Sequence, residues 1–167
     1  ITDTIDKNFQ VWPGIELDVV DDGQRGHLLI VCSPSKVEDF SNKVNYITKE
    51  ITPDNFVISL DDTIEIFDKL APLYIAHYQQ KKPDISETAL EKLLTQTKYP
   101  NRVIKEVSNS ISAGIYISHG HASIYGSDVH DWDKYKDDSF DLPELRLPVE
   151  SFEHFCLLLE KDTITIN

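Results

Sequence analysis

The chain has 167 residues, 40% of them hydrophobic, and a net charge of −13 from 29 acidic and 16 basic side chains. That length and apolar content suit one domain with a buried core and are short for two, so residues 1–167 are read as a single domain. The acid surplus excludes a protein that tracks phosphates on nucleic acid or anionic membrane, since both need clustered Lys and Arg, and no run of about 18 apolar residues offers a spanning helix.

Phe9, Val11, Trp12 and Pro13 open the chain's ordered pattern and are expected to seal an edge of the core. Ile15, Leu17 and Val19 alternate with Glu16 and Asp18, the period of a half-exposed strand. Turn residues from Asp21 to Gly26 follow, and His27 to Cys32 reads as a more buried strand closing an antiparallel hairpin. Ser33-Pro34-Ser35 then starts a helix of about fifteen residues, with Ser35 and Glu38 in capping-box spacing and Val37, Phe40, Val44, Ile47 and Ile51 on one face. After Thr52-Pro53-Asp54, the alternation of Phe56, Ile58 and Leu60 predicts a strand. Asp61 and Asp62 cap the next helix, which carries Ile64, Phe67, Leu70, Tyr74 and Tyr78 and is kinked or split by Pro72.

Ser86, Ala89, Leu90, Leu93 and Leu94 mark a shorter helix that ends before Tyr99-Pro100-Asn101. Strand character returns at Arg102, with Val103 and Val107 as core positions. Ile111, Ala113, Ile115 and Ile117 alternate with small or polar residues, and a turn at His119-Gly120 leads to a partner strand from His121 to Tyr125. Gly126 to Asp141 reads as a long surface loop, and Leu142 to Pro148 as a short extended segment. Phe152, Phe155, Cys156 and Leu159 mark a last helix, with a closing strand at Thr163 to Ile166. The order predicts an α+β fold with a mixed or largely antiparallel sheet and about four helices.

Charge is distributed unevenly. Residues 1–26 and 119–167 together hold −11 of the −13 (six acids against two bases, then eleven against four). A cationic protein would be drawn to such a surface. Cys32 and Cys156 each sit in apolar segments and are expected to be buried thiols, which fits a reducing cytoplasm. Ile1-Thr2-Asp3 begins no basic stretch followed by an apolar one, so no secretion signal is visible there, and the cytoplasmic location is expected from the cysteines.

Two clusters could carry chemistry. His119, His121 and His130, with Asp131 and Asp133, are ligand types for divalent metals, and His-x-His on a strand would place two rings on one face. This defines an alternative reading as a metal-dependent hydrolase, although the spacing matches no specific metal motif. The second cluster interleaves Asp128, Asp131, Asp133, Asp137 and Asp138 with Trp132 and Tyr135, the composition of a protein-binding surface in which aromatics anchor and carboxylates pair with Arg or Lys. It is not a calcium loop: counted from Asp131, the sixth position is Lys136 and the twelfth Leu142, where Gly and Glu are required. There is no nucleophile elbow and no phosphate-binding loop, so neither catalytic residues nor a cofactor are assigned.

The charge, the acidic aromatic segment His130-Asp131-Trp132-Asp133-Lys134-Tyr135 and the tail from Leu147 to Phe155 together give a chain that resembles the immunity proteins of bacterial contact-dependent-inhibition and polymorphic-toxin systems. The resemblance implies a small acidic inhibitor that binds a cognate toxin, often a nuclease, tightly and directly. The oligomeric state is left open.

Overall fold

The computed structural model describes residues 10–51, 57–79, 83–126 and 148–161. Its frame is one six-stranded sheet. The strands β1 (Gly14–Asp21) and β2 (Gln24–Val31) form the expected hairpin. Asp22 and Gly23 both take positive φ, 47° and 77°, as a two-residue turn must if its twist is to match the strands it joins. β3 (Val57–Ser59) lies parallel to β1, β4 (Leu73–His77) antiparallel to β2, and β5 (Val103–Val107) and β6 (Ser123–Tyr125) continue in parallel from β4. The strand order is β3-β1-β2-β4-β5-β6. The fold is α+β with a mixed sheet, as expected, and the described residues hold five α-helices where about four were expected.

The helices α1 (Val37–Tyr46), α2 (Leu60–Phe67), α3 (Glu87–Gln96) and α4 (Ser110–Ser118) contribute to the larger core. In it Phe40, Phe67, Leu90, Leu93 and Ala113 pack with Leu17, Leu28, Ile30 and Tyr74 of the strands. The other face of the sheet is covered over one half by α5 (Phe152–Lys161). There Phe152, Phe155, Cys156 and Leu159 meet Leu73 and Ile104, and Trp12 closes the edge with its ring 5.3 Å from Phe152 and 5.6 Å from Phe155. Both cysteines are free and buried, and burial pushes the Cys32 thiol up to about 12 and Cys156 up to about 11.

Several elements differ from the sequence reading. Ser35 does not cap the first helix: Ser33 caps a 3-10 turn at Pro34–Lys36, its hydroxyl accepting from the Ser35 backbone N–H, and α1 follows from Lys36 with no side-chain cap. Val37 is half exposed, and after Tyr46 the helix widens into a π-turn at Ile47–Ile51. The third strand is shorter than expected, because Ser59 already caps α2 by accepting from the Asp62 N–H at 3.0 Å. Asp61 and Asp62 instead stand in the first turn, where the helix dipole favours them.

The largest change concerns Tyr74 and Tyr78. α2 stops in a 3-10 turn at Asp68–Leu70, Ala71 turns left-handed (φ 53°), and the chain leaves Pro72 as the strand β4. Residues four apart share a face under both the helical and the strand period, so both tyrosines suit either assignment. The alternating run from Ile111 to Ile117 is helical, not a strand: the Asn109 side chain accepts from the Ser112 N–H at 2.9 Å and starts α4. Only Ala113 of that helix is buried, with Ile111 and Ile115 exposed. Correspondingly β6 is parallel to β5 and joined to it by this helix, as a parallel pair requires, and is not the return strand of a hairpin. The loop from 127, the extended segment to Leu147, the closing strand and Phe9 lie outside the described residues.

Candidate functional site

The half of the sheet face that α5 leaves open carries polar residues. Glu16 and Asp18 are two apart on β1 and so project from the same face. The hairpin register sets Asp18 opposite His27, and the β4–β5 register sets His77 opposite Glu106. Leu28 pairs with Ala76, so His27 and His77 fall side by side just beyond the last paired residues of β2 and β4. Their ring centroids are 5.2 Å apart. The result is a band of imidazole and carboxylate crossing four strands.

Within it His27 lies between two carboxylates, with Nδ1 2.9 Å from Glu16 Oε1 and Nε2 2.7 Å from Asp18 Oδ1. His77 Nε2 is 2.8 Å from Glu106 Oε2, and both of these side chains are largely enclosed. The His77 Nδ1 atom is buried and has no hydrogen-bond partner among the described residues. The bond to Glu106 raises the His77 pKa above the ordinary imidazole value against the opposing effect of burial, with Glu106, Glu16 and Asp84 adding their charge. The segment 83–85 fastens both histidine backbones, since Pro83 O accepts from His27 N at 3.1 Å and Ile85 N donates to His77 O at 2.8 Å. It passes so close to Gly26 that a Cβ there would stand 2.7 Å from Ile85 N. Glu16 also borders an open depression of about 230 Å³ floored by Leu29 and Val31.

A second unusual group lies on the opposite face of the sheet. Lys105 is only 7% exposed, and its ammonium sits 4.7 Å from the Tyr78 ring centre and 4.8 Å from that of Tyr116. No carboxylate is within ion-pair distance of it among the described residues. Burial lowers its pKa. Tyr78 donates to Glu87, and His121 joins Lys105 in lining a cavity of about 180 Å³.

His119 and His121 are exposed where α4 ends and gather no carboxylate ligand around them among the described residues. His130, the third member of that alternative, lies outside the described residues, as do Asp128, Asp131, Trp132, Asp133, Tyr135, Asp137 and Asp138. The one group of described His, Cys, Asp and Glu side chains close enough to share an ion is Glu16, His27 and His77. Its signal in the sequence was the hairpin register, which a two-residue turn at Asp22-Gly23 would have revealed; a broader turn from Asp21 to Gly26 conceals it. No helix among the described residues is long and apolar enough to cross a membrane. No protein-family model, curated protein or solved structure matches the chain.

Proposed function

We propose that this chain is an acidic inhibitor that captures a cationic partner protein in the cytoplasm, in the manner of the bacterial immunity proteins it resembles. The observation that carries the reading is how the basic side chains are used. Lys36 Nζ donates to the Leu70 carbonyl, Lys92 bridges Asp21 and Asp61 at 2.7 Å each, Arg102 binds the Ala71 carbonyl and Glu160, and Lys105 is held between tyrosines. These cations serve internal contacts, Lys92 and Arg102 being matched there by Asp21, Asp61 and Glu160, and the chain as a whole keeps a net charge of −13. A negative field of this kind accelerates encounter with a basic protein and repels nucleic acid.

On this reading Asp128, Asp131, Asp133, Asp137 and Asp138 pair with Arg or Lys of the toxin, and Trp132 and Tyr135 fill pockets on it. The test starts from the gene neighbourhood, where a toxin-domain gene directly upstream is expected, and then co-expresses its product with this chain, scored by growth and by association kinetics. Protection of the cells is expected, together with an on-rate that falls at least about tenfold when Asp131, Asp133, Asp137 and Asp138 are all changed to Lys, because steering scales with such charge. Unprotected cells, or an on-rate indifferent to both the four reversals and salt, would overturn the proposal.

A further inference from the structure

We propose that Glu16, His27 and His77 bind one divalent transition-metal ion of the zinc class, with Asp18 and Glu106 orienting the two imidazoles from behind. The three residues each present a donor atom, and these atoms lie within 4.8 Å of one another. Donors around a tetrahedral ion with bonds of 2.0–2.1 Å stand about 3.3 Å apart, so small side-chain rotations close the site. Glu16 Oε1 and His27 Nδ1 are already 2.9 Å apart. Two imidazoles and a carboxylate form a borderline donor set, suited to Zn(II), Co(II) or Ni(II) and poorly to Ca(II) or Mg(II), which prefer oxygen alone.

The outer contacts point the same way. Each imidazole has its Nε2 engaged by a carboxylate, Asp18 for His27 and Glu106 for His77. With the Nε2 proton turned to that carboxylate, Nδ1 would keep its lone pair for the ion and the ring would be a stronger donor. His77 Nδ1 has the corresponding feature of an atom awaiting a partner: it is buried and unbonded among the described residues. His27 Nδ1 already stands beside the Glu16 carboxylate at 2.9 Å, so these two donors face a common point.

The site is also stiff. Its ligands come from three adjacent strands, and the segment 83–85 pins the backbones of both histidines. Glu16 is half exposed, so the side of the site away from the sheet is open to a water molecule or to a fourth ligand. The site makes no use of the segment 128–138, and it stands or falls separately from the inhibitor reading.

The test uses the full chain without any histidine tag, stripped of metal by a chelator and titrated with Zn(II) and with Co(II) by calorimetry and visible absorption. One ion per chain is expected at micromolar concentration or below, with Co(II) bands of a four- or five-coordinate site. Glu16→Gln, a near-isosteric change at a half-exposed position, and His77→Gln should each weaken binding at least about 100-fold, and Asp18→Asn and Glu106→Gln by about 10–100-fold. Circular dichroism of each variant separates lost ligation from lost fold, and Glu16→Gln keeps the test decisive if a histidine variant does not fold. His119→Ala/His121→Ala should bind as the parent does. No binding at micromolar metal, binding indifferent to Glu16→Gln, or binding lost only in the His119/His121 variant would overturn the assignment.

Discussion

Asp68→Ala removes an acceptor that ties three parts of the fold together. Asp68 is buried at the end of α2, where Oδ1 accepts from Thr97 Oγ1 at 2.5 Å and Oδ2 from Lys98 N at 3.0 Å. The Tyr74 hydroxyl, on the wholly buried first half of β4, approaches Oδ1 at 3.4 Å, too far to count as a full bond. Each good hydrogen bond to a charged group contributes about 1.5–3 kcal/mol, and the donors left behind have little access to water. Allowing for relaxation, the loss should be about 3–5 kcal/mol, a large part of the roughly 5–15 kcal/mol that holds a domain folded. In urea unfolding followed by far-UV circular dichroism the midpoint should drop with the slope unchanged. Asp68→Asn keeps one carbonyl oxygen and should cost about half as much. A loss below about 1 kcal/mol for Asp68→Ala, or equal losses for both variants, would refute the claim that this carboxylate joins α2 to the residues entering β5.

Three further outcomes follow from single side chains. Lys105→Met should leave stability unchanged or raise it, because a buried ammonium without a carboxylate partner is replaced by an apolar chain of similar length. Since the folded pKa of Lys105 lies below 10.5, the unfolded chain binds more protons between that lowered value and 10.5, so Lys105 makes stability rise with pH there; the rise should be absent from the variant when the two are compared by urea titration across that window. Gly114→Ala should stabilise by about 0.5–1 kcal/mol in thermal melts, as its Cβ meets nothing within 4 Å inside α4; destabilisation would argue against a helix there. Gly26→Ala places a Cβ 2.7–2.8 Å from the backbone of Asp84 and Ile85, and should cost about 1–3 kcal/mol in the same assay while weakening Zn(II) binding through the displaced histidine backbones.

Elements whose evidence is local were legible in the chain itself. Ser86 accepts from the Ala89 N–H and starts α3 as its spacing indicates, and Phe152, Phe155, Cys156 and Leu159 form the buried stripe of α5. The β1–β2 hairpin, the burial of both cysteines and the α+β class are likewise properties of neighbours in sequence, where turn chemistry and hydrophobic period act over a few residues. Tertiary structure alone decided the rest. Tyr74 and Tyr78 satisfy both periods, and only the open place between β2 and β5 makes Leu73–His77 a strand. The alternation from Ile111 to Ile117 yields to a helix because parallel β5 and β6 need a crossover between them. Glu16, His27, His77 and Glu106 are scattered over ninety residues and meet only through strand registers, since cross-strand neighbours are set by pairing and not by distance along the chain.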